Sequence, residues 1–514
     1  MTELSRRLFL RHAGVMSALT GSAAPLTLNL LAAGTAAAQT APDYKAIVCL
    51  FMFGGNDAYN MVLATDSASF QAYTSTRSQA PDSIALLAPG IAANTGATIA
   101  SPLRLGGVLP LTPLNAQGRS FALHPVMGTL QTMFNSDKRL AILPNIGPLV
   151  MPTNKTQYGQ SSHPKPASLF SHNDQQNTWQ ALAPEGATTG WGGRMGDLLA
   201  SANSSPVFTA VSASGNAVWL AGQTVRQYQL GSNGAVRLGL DSGNRVYGST
   251  DVGAALQRIV SNTRGSHVFE ADMAAVAKRS IDAEVLLRTA LKPASDAAFG
   301  TAPTSGSYNA SADPKLQYDS PLTGAKAFNA VAQQLQVVAR MVEAGMSGAA
   351  GTKRQVFFVS LGGFDTHDAQ NRSHADLMAK LAHALRYFDT TLGAVNARSN
   401  VTTFSASDFG RTFTSNGDGT DHGWGSHHFV MGGAVKGGDL YGNYPVLGVK
   451  NANNNNFDSS VNQLGNGAML PETSVDQLGA TLGKWFGLSD LQLLDIFPNL
   501  KNFDSAKRNL GFMA

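Results

Sequence analysis

Hydrophobic positions along this 514-residue chain follow two rhythms. Short, near-continuous apolar runs recur at 44–53 (YKAIVCLFMF), 140–146, 355–361 (QVFFVSL), 401–405 and 428–431. Their length and β-branched content predict strands buried on both faces, as in a parallel sheet. Between them, apolar residues at every third or fourth position predict helices at 126–134, near 174–182 and 191–201, across 253–292 and 326–346, over 374–392, and near 474–486 and 488–495. Strands alternating with helices predict an α/β domain: a mostly parallel central sheet with helices on both faces. Segments 65–120 and 205–250 are rich in small and polar residues and weak in periodicity. They read as loop-rich insertions, the second a peripheral excursion from the core. Segment 294–323 reads as loop or as a partly disordered stretch. No internal repeat is visible.

The N-terminus breaks this pattern. Ser5-Arg6-Arg7-Leu8-Phe9-Leu10-Arg11 precedes a weakly apolar stretch, 13–31, and then Ala36-Ala37-Ala38. A charged start, an apolar middle and small residues at the end predict a cleaved signal peptide over 1–38. The paired arginines predict the twin-arginine route. Thr20, Ser22 and Thr27 make the segment too polar for a permanent membrane helix. No later stretch has the length and apolarity of a membrane span. The expectation is a periplasmic or secreted protein whose residues 39–514 form one domain.

Composition narrows the picture further. Arg6, Arg7, Arg11 and Glu3 lie in the leader, so half of the net charge of +4 belongs to it. No basic block of the kind that binds nucleic acid is present. The single cysteine, Cys49, sits in an apolar run, which excludes an internal disulfide and reads as a buried strand residue rather than a nucleophile. A disulfide-free chain suits folding in the reducing cytoplasm before export.

Three motifs share one placement: each directly follows an apolar run. In open α/β sheets, ligands bind in the crevice beyond the carboxyl ends of the strands. The first motif is Gly54-Gly55-Asn56-Asp57, where Asp57 either faces the crevice or caps the next helix. The second is Gly362-Gly363-Phe364-Asp365-Thr366-His367, whose carboxylate and imidazole can converge on one divalent cation. The third runs from Ser407-Asp408-Phe409-Gly410-Arg411-Thr412 to Thr420-Asp421-His422-Gly423-Trp424-Gly425, with His427 and His428 beyond. Asp and His clustered on one Gly-rich loop suggest a metal shell with supporting partners. Arg411 could hold an anion in a bidentate fork. A fourth feature, Phe170-Ser171-His172-Asn173-Asp174, places Ser171 where a helix N-cap would stand. It is either an ordinary cap or a nucleophile beside a metal. No Cys-x-x-Cys pair, Walker loop or Gly-x-Ser-x-Gly elbow appears.

Together these motifs resemble the bacterial family known as domain of unknown function 1501. Leu123-His124-Pro125, Met431-Gly432-Gly433 and Lys436-Gly437-Gly438 also fit that family. The family is similar in turn to the alkaline-phosphatase and sulfatase superfamily. That resemblance implies a metal-dependent hydrolase of phosphate or sulfate esters, on small molecules or on a polymer, with Zn, Mn, Ca or Mg as the cation. It implies that Asp57 and Asp408 bind one metal, and that Asp365, His367 and His422 bind a second. Ser171 would be the nucleophile and Arg411 the anion holder. Alkaline phosphatases carry a histidine ligand where this chain has Phe409, and a wider spacing than that of Asp365 and His367. His172, His427 and His428 are the candidates to replace the missing ligand. A rival expectation is a non-catalytic binding or envelope-assembly protein on the same scaffold. A third, an exported oxidoreductase, finds no cofactor motif.

Overall fold

The architecture comes from a computed structural model. It describes residues 43–514 except 100, 232–233, 235–240, 242 and 263–266. The leader expected over 1–38 lies outside the described residues. Eight strands form the central sheet: β1 (Lys45–Phe53), β2 (Leu140–Gly147), β3 (Ala210–Ser212), β4 (Tyr228–Gln229), β5 (Arg354–Gly362), β6 (Val401–Ser407), β7 (Ser426–Gly432) and β8 (Thr473–Ser474). Their order across the sheet is β8-β2-β7-β6-β1-β5-β3-β4. β1 lies between β5 and β6 and runs parallel to both. Among the described strands of this sheet only β7 runs against its neighbours, β6 and β2. The sheet is therefore mixed but mostly parallel.

The apolar run of β1 serves two cores at once, because successive side chains point to opposite faces. Ala46, Val48, Leu50 and Met52 pack on one side, with the helices Gly128–Asn135, Ala330–Met346 and Gln370–Ala394. Ile47, Cys49 and Phe51 pack on the other, with Trp191–Leu199 and Val475–Phe486. Helices thus cover both faces, as the sequence pattern predicts. Cys49 is a free, buried strand residue, and burial pushes its thiol well above the ordinary range.

Two segments differ from expectation. Within 65–120, Asp66 caps a helix, Ser67–Arg77, and Leu109–Leu111 joins Val62–Ala64 and Phe121–Leu123 in a small sheet. The helix escapes the periodicity test because its inward side carries Ser69, Thr76 and Arg77 as well as Ala72 and Tyr73. Segment 205–250 is no mere excursion either. β3 and β4 extend the central sheet in parallel beside β5. These strands are too short to show alternation. Among the described residues, no helix is long and apolar enough to cross a membrane.

Candidate metal centre

The three sequence motifs meet beyond the carboxyl ends of β1, β5 and β6. Gly54 joins them. Its amide donates to Asp408 Oδ2 (3.1 Å), and its carbonyl accepts from Arg411 Nη1 (3.0 Å). It adopts φ +114°, and a Cβ there would stand 2.4 Å from the backbone nitrogen of Asp365. Only glycine meets both demands. A Cβ on Gly55 would lie 2.3 Å from the ring of Phe409. That ring packs against the imidazoles of His172 and His422, with centroids 4.8 and 4.7 Å away. Phe409 thus forms an apolar floor under two histidines.

His172 opens the helix His172–Ala181. Its Nδ1 lies 2.7 Å from Asp408 Oδ2, and Gln176, one turn later, donates to the same oxygen (2.9 Å). His422 lies on the strand Thr420–His422, paired with Arg411–Ser415, and its Nδ1 lies 2.7 Å from the carbonyl of Phe170. A carbonyl only accepts, so His422 Nδ1 carries the hydrogen and the neutral ring's Nε2 keeps its lone pair. Asp408 orients His172 in the same sense. Phe170 holds φ +74°, an unusual conformation for a bulky side chain, which the surroundings impose.

Both Nε2 atoms face one carboxylate oxygen. Asp365 Oδ1 is 3.5 Å from His172 Nε2 and 3.6 Å from His422 Nε2. Ligand atoms of His172, Asp365 and His422 all lie within 4.8 Å of one another. Tetrahedral Zn²⁺ separates its ligand atoms by about 3.3–3.5 Å. His172 Nε2 is buried and has no hydrogen-bond partner among the described residues. A lone pair so placed, with its ring fixed from behind by Asp408, is what a cation site requires. His367 lies against two of the three groups, its Nε2 being 3.1 Å from Asp365 Oδ1 and 3.0 Å from His422 Nε2. Its Nδ1 faces Asp421 Oδ1 at 3.3 Å. The site faces solvent: the Asp365 and His367 side chains are 47% and 44% exposed.

Charge placement fits this arrangement. Burial pushes Asp365 up, but the hydrogen bond and charge of Arg411, with His172 and His367, hold its carboxyl below the ordinary range. The hydrogen bond to Asp408 raises His172, whereas burial lowers His422.

The remaining expected residues stand elsewhere. Asp57 is fully buried and does not join the cluster. Its Oδ2 accepts from Arg77 Nη1 and Nη2 at 3.0 and 2.9 Å, and its Oδ1 caps the short helix Ala58–Met61 through Tyr59 N. Burial raises its carboxyl above the ordinary range, and the two-pronged contact with Arg77 opposes that shift. Asp408 acts through His172, and its Oδ1 is buried with no hydrogen-bond partner among the described residues. Arg411, expected to hold a substrate anion, is fully buried, and its donors go to Asp365, Gly54 and Thr420. Ser171 stands at the N-cap but makes no side-chain cap bond. Asp174, in the first turn of that helix, lies near its hydroxyl. His427 and His428 are buried away from the cluster, beside Tyr444 and Trp179. Arg77, Gln176 and Gln370 were not anticipated. Only Gln176 left a signal, four residues after His172 and so on the same helix face.

A family model described as "Protein of unknown function (DUF1501)" matches residues 44–497. The chain belongs to the DUF1501 family. The motifs from Gly54 to Gly425 that build the centre all lie inside the matched region of this DUF1501 protein. No curated protein matches it. Among solved structures it is similar to Ps i-CgsB in complex with k-i-k-neocarrahexaose, at 9% identity and a TM-score of 0.31 over 91% of this chain and 77% of that one. It is also similar to a protein, BT33494S-sulf, from a study of glycosaminoglycan metabolism by Bacteroides thetaiotaomicron. There the identity is 10% and the TM-score 0.32, over 88% of this chain and 74% of that one.

Proposed function

We propose that this DUF1501 protein is a metal-dependent hydrolase of phosphate or sulfate esters, exported by the twin-arginine route to the periplasm or beyond. One observation carries the metal reading: two imidazoles, each fixed through Nδ1, present their Nε2 lone pairs to a single carboxylate oxygen, and one of those nitrogens is buried without a hydrogen-bond partner among the described residues. His172, Asp365 and His422 would hold the cation, with His367 beside them. The unshared lone pair of Asp365 Oδ1 remains for the cation while Arg411 takes the other. A bound divalent cation supplies Lewis-acid polarisation of an ester oxygen and of water. Water or the Ser171 hydroxyl would then be the nucleophile. The open face of the cluster suits an ester on a polymer as well as a small one.

Elemental analysis of the purified protein tests this reading, paired with Asp365→Ala and His422→Ala and with assays on aryl phosphate and aryl sulfate esters. Stoichiometric Zn, Mn, Ca or Mg that disappears in both variants, together with ester turnover, is the expected result. Metal content unchanged in the variants would overturn the ligand set. A second reading, a metal-holding binding or envelope-assembly protein, is favoured by one feature: Arg411 is the only Arg or Lys paired with Asp365 among the described residues, and its donors are already used. Bound metal without turnover of either ester would select it.

A further inference from the structure

Asp57 and Asp365 are linked by a continuous file of buried side chains. Gln370 opens the helix Gln370–Ala394 and is fully buried. Its amide nitrogen donates to Asp57 Oδ2. Its amide oxygen accepts from the hydroxyls of Thr420 (2.6 Å) and Thr366 (3.2 Å). The Thr420 hydroxyl in turn accepts from Arg411 Nε (3.0 Å), and Arg411 Nη1 donates to Asp365 Oδ1 (2.8 Å). At the far end Arg77 closes on Asp57 and also donates to Asn60 Oδ1 (2.9 Å). Each bond has one allowed direction. Arg411 gives to Thr420, Thr420 gives to Gln370, and Gln370 gives to Asp57, whose Oδ2 also accepts from both terminal nitrogens of Arg77. Reversing the Gln370 amide would set its NH₂ against two hydroxyls and its oxygen against a carboxylate.

We propose that Thr420 and Gln370 are positioning residues: they couple the Arg77–Asp57 pair to Arg411 and thereby fix Asp365 as a ligand. This rests on the metal reading above. Asp57 then serves the centre at a distance, through a relay, instead of touching the cation. Thr420 matters twice, because its strand also carries His422. Arg411 has other acceptors, the carbonyls of Gly54 and Thr420, so the relay sets its orientation and not its presence. Loss of an outer partner of this type weakens metal affinity by about 10- to 100-fold.

The test is a zinc competition titration on the full chain, run on wild type, Thr420→Val, Gln370→Met and the double variant. Urea unfolding is followed in parallel on the metal-free proteins. Thr420→Val keeps the shape and removes only the hydroxyl, and Thr420→Ser restores it. The expected result is zinc binding weakened about tenfold in each single variant. The double variant should be no weaker than the worse single one, because both cut the same relay. Thr420→Ser should regain wild-type affinity, and Thr414→Val, on the paired strand, should leave it unchanged. Folded single variants with wild-type zinc affinity would overturn the relay, as would losses that multiply in the double variant. A wild type that takes up no zinc, manganese, calcium or magnesium would sink the metal reading itself.

Discussion

Asp57 and Asp365 follow adjacent parallel strands, β1 and β5, each after a pair of glycines, yet they have opposite fates. Asp57 is sealed, its side chain 0% exposed and gripped in two-pronged fashion by Arg77. Asp365 is 47% exposed and surrounded by three imidazoles. The difference comes from outside the sheet. The helix Ser67–Arg77 packs its Arg77 onto Asp57, whereas the described residues leave Asp365 half-exposed. A carboxylate at a strand end becomes an anchor or a ligand according to which counter-charge reaches it first, and whether water follows.

The comparison breaks most sharply at Arg77. Arg77→Leu leaves a buried carboxylate without its counter-ion, which destabilises a protein by about 3–5 kcal/mol. Pairing it with Asp57→Asn removes the orphaned charge and should recover a good part of the loss. Urea denaturation of the metal-free chain measures both. A loss below about 1 kcal/mol in Arg77→Leu would mean that water enters the pair and that the sealed description of Asp57 is wrong.

Why the sequence hides this contrast follows from the same physics. The β1, β2, β5 and β6 runs are legible because burial on both faces demands unbroken apolar stretches. β3 and β4 are not, since strands of three and two residues carry no period. The Gly-Gly turns mark where chemistry gathers, because backbone must pass close to backbone there. They do not say which carboxylate remains open. That depends on Arg77, a single cation in a polar helix, twenty residues from its partner. His172 was only one of three candidates to replace the histidine lost at Phe409. His427 and His428 share its residue type, and only the fold puts them in the core.

The buried histidines carry an acid sensitivity of their own. His374, near Asn56, and His427 and His428 are each lowered by burial to about 3. The unfolded chain binds protons at these positions near 6.5, whereas the folded chain stays neutral. Their stability is whole above pH 6.5 and is lost as pH falls towards 3, at about 1.4 kcal/mol per pH unit for each histidine. Asp476, raised by burial to about 6, works the other way between pH 6 and its ordinary value near 3.8, and offsets part of the loss. His428 is the cleanest probe, since burial alone sets its shift. Unfolding free energies at pH 7 and pH 5 should converge by about 1–2 kcal/mol in His428→Gln relative to wild type. An unchanged pH slope in that variant would show that His428 is protonated in the fold.

The smallest stability effect is expected where the sequence motif looks most functional. Asp365→Asn removes a charge at a half-exposed position, and the new amide oxygen can still accept from Arg411 Nη1. Arg411, itself buried, loses its carboxylate partner but keeps the carbonyls of Gly54 and Thr420 and the nearby charges of Asp57 and Asp421, so no buried donor is stranded. Half-exposed changes that strand nothing shift stability by about 1 kcal/mol or less. The substitution nevertheless takes away the anionic ligand between His172 and His422, so metal binding should fall while folding stands. Asp57→Asn alone is the reverse case: Arg77 loses its counter-charge in a dry site, and stability falls by several times as much. Unfolding curves for the two asparagine variants, side by side and free of metal, decide between anchor and ligand. Equal losses would erase the distinction. A large loss for Asp365→Asn alone would make that residue the structural member of the pair.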